Sequence, residues 1–348
     1  IGGKLALNKV GSGRWIVSPT SALTYSGDTT ISAGTLILNS GDNVLPFGAG
    51  RGNVNISGGA QLELNGRSVR INGLNGAGNL NHRGSTTETL EIGNGDAGGN
   101  FSGSITDAGT INLVKTGSGV QVLSGSNSYA GTTVINGGVL QFNSTSSIGG
   151  TGQSVTISAN AAAAAGFAIN QAFVGRIGAA SSGVIALAVN SGNGLDLTGL
   201  NVSVGALGAA TFSGVLTPNG STYRLGGGGG ALTLPNAGAL TGARSLQVAG
   251  AGTVALRGSN IFTGPTTVNA PAGLILGHAR ALAGGTILIN AGATVALSPG
   301  LAGTVPTPSL TIAPGGMLEL ADNRMLVDYT AASPLDGLRA AIIDGRIG

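Results

Sequence analysis

Thirteen carboxylates are the side chains of this 348-residue chain best placed, by type and number, to do acid–base chemistry. Glu88 and Glu91 stand close in sequence, as do Glu319 and Asp322, while the others are far apart. A fold that stacks successive windings could still gather Glu63, Glu88, Glu91, Asp96, Asp107, Asp196 and Asp322 into one acidic groove. One carboxyl would then serve as general acid and another as base or nucleophile. The competing expectation, and the one adopted, is that these carboxylates are solvated or cap turns. His82 and His278 belong to no His-Glu-x-x-His or His-x-His pattern, so both are expected at the surface and no metal site is assigned.

The string GNGDAG at 93–98 fits the G-x-G-x-x-G spacing of a phosphate-cradling loop. A chain with 66 glycines is expected to show roughly two such strings by chance, and this one lacks a following helix. The single carboxylate of that stretch, Asp96, offers too few oxygens for a calcium-binding nonapeptide. Serine is plentiful, yet no G-x-S-x-G elbow occurs. Trp15 is the lone tryptophan and is expected to pack in a terminal coil rather than stack on a sugar. These residues therefore name no catalytic group, no cofactor site and no metal ligand, and the chain is read as non-enzymatic.

The elements that would position such groups are written in an unusual composition. Charged residues make up 8% against about 25% in an ordinary soluble domain, and aromatics only 3%. The 66 glycines punctuate apolar runs, which indicates order rather than disorder. The net charge of +3 comes from 16 scattered lysines and arginines with no basic run, so nucleic-acid binding is excluded. No apolar span is long enough for a bilayer; the nearest, 161–180, is broken by Asn170, Gln171 and Arg176, so membrane insertion is not expected. The lack of cysteine fits a secreted protein, and without an initiator methionine or a signal-peptide pattern the chain reads as a mature piece of something longer.

Two phrases recur. GSNSYAGTTV at 125–134 returns as GSNIFTGPTTV at 258–268 and, more worn, as SALTYSGDTTI at 21–31, which makes Tyr25, Tyr129 and Phe262 equivalent. Each stands two residues before a glycine (Gly27, Gly131, Gly264), with a G-x-G step upstream (Gly11 and Gly13, Gly117 and Gly119, Gly250 and Gly252). A second phrase pairs Val54 and Ile56 with Leu62 and Leu64 across SGGA. It recurs at 287–297, and again at 310–320. Alternation of Val, Ile and Leu with Asn, Ser and Thr marks short strands with one buried face, and Gly or Asn at the breaks permits tight corners. Such units are the parts of a β-solenoid, because one coil cannot bury its inward face without like neighbours. Coils of roughly 20 to 25 residues predict about 14 to 17 turns and a rod of roughly 65 to 80 Å.

The stretch LVKTGSGVQVLSGSNSYAGTTVINGGVLQF resembles the autotransporter-associated β-strand repeat of bacterial secreted and surface proteins: strongly at 111–142, well at 245–276, and faintly at 4–38, where two residues are inserted after Gly13 and the asparagine is lost. The strings STYRLGGGGGALTL at 221–234 and LELADNRMLVDYTAASPLDGLRAAII near the end also resemble segments that accompany such repeats. The resemblance implies a right-handed parallel β-helix, secretion to the cell surface or beyond, and a role as stalk, adhesin or surface layer. No translocator barrel follows the repeats, which leaves the secretion route open.

The expected architecture is all-β: one continuous β-helix over 1–330, less regular and richer in glycine and alanine over 158–245, then a short helical cap or junction over 331–348. Ser333 is expected to cap that helix, with Pro334 at its first position, Asp336 completing a capping box, and Leu335, Leu338 and Ile342 on one face. The open edge, strand-like from Lys4, is expected to pair end to end with another copy or with preceding coils of the parent protein, and a host-surface or glycan ligand is a further expected partner. The leading reading is an extracellular, non-catalytic structural or adhesive scaffold that assembles lengthwise into fibres. The alternative is a β-helical carbohydrate-active enzyme, a polysaccharide lyase or hydrolase, using the acidic groove.

Overall fold

Strands of two to six residues, separated by two or three corner residues or by longer loops, set the architecture. The computed structural model describes residues 5–150, 152–329 and 333–348; the expected strand start at Lys4 and the boundary between 330 and 331 lie outside them. Among the described residues the chain is an all-β parallel β-solenoid of about fifteen turns with a short C-terminal helix, Leu335–Ile343. It divides into two compact units. One runs to Gly166 and takes in Gly175–Gly183; the other takes in Phe167–Val174 and Val184–Gly348.

In the first unit three parallel sheets form. The first sheet stacks Leu7–Lys9, Thr29–Ile31, Val54–Ile56, Leu74–Gly76, Gly99–Phe101, Val120–Leu123, Gly138–Phe142 and Ala161–Ala165. Its register places Leu7 beside Thr29, Thr29 beside Val54 and Val54 beside Leu74, steps of 22, 25 and 20 residues. The second sheet contains Arg14–Val17, Thr35–Leu38, Gln61–Glu63, Asn79–His82 and Ser104–Asp107. The third contains Val69–Arg70, Thr87–Ile92, Thr110–Lys115, Thr133–Ile135 and Val155–Ile157. Alternation decides the facing: in Val54–Ile56 the outer two residues are buried and Asn55 is half-exposed. Leu36, Leu62, Leu80 and Ile105 form one fully buried column, each contributing about 1.5–3 kcal/mol by burial.

The second unit repeats the plan. One sheet stacks Val184–Leu187, Ser203–Ala206, Thr222–Leu225, Ser245–Val248, Thr266–Val268, Ile287–Ile289 and Leu310–Ile312. Another stacks Ala209–Thr211, Ala231–Leu234, Gly252–Leu256, Ala272–Leu276, Thr294–Leu297 and Met317–Glu319.

The alanine and glycine tracts are built on close approach. All five residues of Ala161–Ala165 are buried, with Leu140 and Phe142 beside Ala163 and Ala165. Gly226 to Gly229 all hold positive φ, and a Cβ on Gly228 would stand 2.5 Å from the Ala206 carbonyl oxygen. One turn of helix, Gln171–Val174, was not expected from the sequence. Asn170 caps it, its Oδ1 accepting from Phe173 N at 3.1 Å, and the Phe173 ring packs edge-on to Phe167 at 5.7 Å.

At the C-terminal helix the expected cap shifts by one residue. Pro334 takes the N-cap place, and Ser333 Oγ accepts only a long bond, 3.4 Å, from Leu335 N; no side chain caps the N-terminus as a capping box would. Leu335 and Ile342 are exposed and Ala341 is the buried member. The strand Met317–Glu319 gains its neighbour from the residues after the helix: Leu318 N donates to Arg346 O at 2.7 Å and Gly348 N to Leu318 O at 3.0 Å.

Candidate functional site

The side chains that recur in the first phrase are the ones whose chemistry the fold uses, and they use it between and within coils. Tyr25 Oη lies 2.5 Å from Thr29 Oγ1 and Tyr129 Oη 2.8 Å from Thr133 Oγ1, the same four-residue link in two copies. Burial pushes the Tyr129 phenol up to about 12, against the opposing effects of the Thr133 hydrogen bond and Arg176, so it remains a neutral hydroxyl. In the third copy Phe262 has no hydroxyl, and the buried Oγ1 of Thr266 has no partner among the described residues. The glycine two residues after each ring marks a backbone contact. A Cβ there would stand 2.6 Å from Leu5 O at Gly27, 2.5 Å from Arg244 O at Gly264, and closer still to Ile111 O at Gly131.

The asparagine of the phrase bridges three coils. Asn127, buried, accepts from Ile105 N at 2.8 Å through Oδ1 and donates from Nδ2 to Ser147 O at 2.6 Å. Asn260 does the same between Leu240 N (2.9 Å) and Ala281 O (2.8 Å). In the first copy Leu23 holds this place; its backbone N–H donates to Val44 O, as those of Asn127 and Asn260 donate to Ser146 O and Arg280 O, but its side chain cannot bridge. The amide therefore acts as a peptide group where the strand ladder lapses.

The lysine at the head of the phrase closes a corner. Lys115 Nζ donates to the carbonyl oxygens of Thr116 (2.6 Å), Gly117 (3.0 Å) and Gly137 (3.2 Å), and Lys9 Nζ to those of Val10 (3.1 Å), Gly11 (2.7 Å) and Ala33 (3.0 Å). Gly11 and Gly117 hold φ of 74° and 66°, the left-handed corner that turns these carbonyls toward the ammonium. Burial pushes the Lys115 ammonium down to about 8, opposed by the Asp96 carboxylate. Val248 stands here in the third copy.

Gln121 is a bridge the sequence reading missed. It is fully buried, and its amide exchanges two hydrogen bonds with the backbone of Leu74 two coils away, accepting from N at 3.0 Å and donating to O at 2.8 Å. Gly99 between them makes room, since a Cβ there would meet Gln121 Oε1 at 2.7 Å. The signal was a polar residue at inward parity with Leu123 in the strand Val120–Leu123.

The seven carboxylates are divided between the two units, and in the first unit they lie on two sheets and a corner. Glu63, buried in the second sheet, has Oε2 3.7 Å from Arg14 and 3.8 Å from Arg83. On the third sheet Glu88 accepts from Ser68 Oγ at 3.1 Å and Glu91 pairs with Arg70 at 3.2 Å. Asp96 accepts from Ser118 N at 2.8 Å, and its hydrogen bonds from Ser118 hold its carboxyl below the usual range. Asp107 accepts from Ile111 N (2.6 Å) and Ala130 N (2.9 Å). In the other unit Asp196 accepts from Thr198, whose hydroxyl and backbone bonds lower its pKa, and Asp322 accepts from Gly300 N at 2.8 Å.

The histidines divide. His278 is exposed, but His82, expected at the surface, is 1% exposed. Strand parity turns it inward at the end of Asn79–His82, where Nδ1 accepts from Gly66 N at 3.2 Å and the Nε2 proton is directed to Thr86 O at 3.1 Å. Among the described residues no three His, Asp or Glu side chains form a metal-binding group. Trp15 lies beside Leu36 at the edge of the second sheet and is 41% exposed.

The sequence model of the passenger-associated-transport-repeat family matches residues 7–38, 113–142 and 246–270. Over 140 residues, 39% of the chain, the sequence is 38% identical to the adhesin BmaC autotransporter of Brucella suis biovar 1 (strain 1330). The aligned part covers 4% of that protein's length. No solved structure matches. The three matched segments coincide with the three copies of the phrase, in which Lys9 and Lys115, Asn127 and Asn260, and Tyr25 and Tyr129 make the contacts described, and the chain is accordingly a parallel β-solenoid carrying the autotransporter passenger-associated repeat.

Proposed function

We propose that the chain is a stretch of a secreted, cell-surface passenger, where it serves as a non-catalytic scaffold for adhesion. One observation carries this reading: the recurring polar side chains Lys9, Lys115, Asn127, Asn260, Tyr25 and Tyr129 hydrogen-bond to their own or neighbouring coils rather than facing a substrate. The repeat match and the likeness to an adhesin autotransporter support the setting. Dispersal of the carboxylates over two sheets, a corner and a second unit supports the absence of catalysis. Lengthwise assembly is part of the proposal: among the described residues the strand Leu7–Lys9 pairs only with Thr29–Ile31, and its other edge is where a strand of another copy, or of preceding coils of the parent protein, would add.

Antibodies raised against residues 1–348 and applied to intact cells of the producing bacterium test the location. Labelling that external protease removes is expected, and labelling only after lysis would overturn it. Sedimentation of the purified chain over a wide concentration range tests assembly: growing species are expected, and a strict monomer throughout would refute it. Release of new reducing ends from any polysaccharide incubated with the chain would contradict the non-catalytic reading.

A further inference from the structure

In the first unit a cleft of about 290 Å³ opens on the outer side of the third sheet, and its lining was not singled out by any repeat. Its floor is Arg70, Thr89 and Glu91, with Arg70 beside Glu91 in register and Nε 3.2 Å from Oε2. Its wall is Asp42 and Asn43, which take the place of a strand. Ser68 N donates to Asp42 Oδ1 at 3.0 Å, Asn43 N to Ser68 O at 2.9 Å, and Arg70 N to Asn43 Oδ1 at 3.0 Å. The guanidinium lies over the Phe47 ring at 5.7 Å, which holds the fork in place. The wall and floor are thus fixed through backbone and side-chain bonds, while hydrogen-bonding capacity remains unused. Asp42 Oδ2, Glu91 Oε1, the terminal nitrogens of Arg70 and the Thr89 hydroxyl have no protein partner among the described residues.

We propose that this cleft binds a single neutral sugar ring, with the carboxylates of Asp42 and Glu91 accepting from ring hydroxyls and Arg70 and Thr89 donating to ring oxygens. Two carboxylates against one guanidinium leave a surplus negative charge, which disfavours acidic sugars and phosphates. The guanidinium on the floor disfavours a divalent cation, and the charged lining disfavours an apolar ligand. The volume suits one ring rather than a chain. This deepens the adhesive reading above, and its use at a cell surface rests on that reading.

Saturation-transfer NMR on the full chain with the methyl pyranosides of glucose, galactose, mannose and N-acetylglucosamine at millimolar concentration tests it. Transfer to at least one of them is expected, with binding weakened at least tenfold in a Thr89→Val/Glu91→Gln variant and in Asp42→Asn, which keeps the acceptor for Ser68 N. Thermal unfolding of each variant confirms that the fold is retained. No transfer to any sugar, equal transfer in the variants, or calcium or methylammonium binding in the cleft where no sugar binds would each overturn the assignment. Any of these results leaves the surface location and the sedimentation test standing, so the two readings fail separately.

Discussion

At the ring position, two copies of the same phrase differ by a single oxygen atom. The hydroxyls of Tyr129 and Thr133 share a hydrogen bond, whereas beside Phe262 the buried Thr266 hydroxyl has no partner among the described residues. Phe262→Tyr is therefore expected to stabilise the second unit by about 1 kcal/mol, and Tyr129→Phe to destabilise the first by a similar amount, read as opposite shifts of the denaturant midpoint. Asn127→Leu places in the second copy the residue found at Leu23; it strands Ile105 N and Ser147 O, and a loss of about 2 kcal/mol is expected. Lys115→Met removes three charge-assisted bonds at a corner and is expected to cost about 2 kcal/mol, while Lys9→Met has a counterpart effect at the first corner. The ring, glycine and asparagine positions could be read as equivalent from their spacing. Partners in other coils could not, because Ile105, Ser147 and Gly137 become neighbours of Asn127 and Lys115 only after the coils are superposed. His82 and Gln121 show the same limit: each is a polar residue at inward parity, and the Gly66 N–H that His82 accepts and the Leu74 backbone that Gln121 bonds belong to other coils.

At the scale of the element, the corner between strands decides which substitutions a coil accepts. Gly103 has an ordinary backbone, yet a Cβ would collide with Gly78 O and stand 2.7 Å from the Phe101 ring, while at Gly13 a Cβ would meet nothing within 4 Å. Gly103→Ala is expected to cost more than about 3 kcal/mol, with Gly13→Ala within about 0.5 kcal/mol of the parent, when both are measured by thermal unfolding. The strands themselves were legible because period-two alternation survives in pieces as short as Val54–Ile56 and Thr266–Val268. The helix Gln171–Val174 was not, since one turn leaves no 3.6-residue period to detect; Asn170 before it was the available mark. The C-terminal helix was anticipated from its Ser-Pro start. The pairing of Arg346 and Gly348 with Leu318 was not, because a lone bridge after a helix carries no pattern of its own.

On the scale of the whole molecule, few charges and many small residues serve one purpose, the stacking of parallel strands at close range. Charged groups are 8% of the chain, and the buried ones sit against a partner: Glu63 beside two arginines, Lys9 and Lys115 against carbonyls. The same register that hides these groups supplies the edge on which lengthwise growth is proposed, so a defect in register would remove scaffold and assembly together. The absence of cysteine allows the register to be measured directly. Asn55 and Asn75 are register partners on adjacent outward positions of the first unit, and Asn100 lies one strand further; Gln247 and Thr267 are partners in the second unit. Cysteine pairs at 55/75 and 247/267, about 5 Å apart between Cα atoms, fall within disulfide reach, and a 55/100 pair at about 10 Å does not. Mild oxidation of the monomeric protein at low concentration is expected to close the first two pairs within one chain and leave 55/100 open. Closure of 55/100 in preference to 55/75, or no closure at all, would contradict the stacked register on which the account rests.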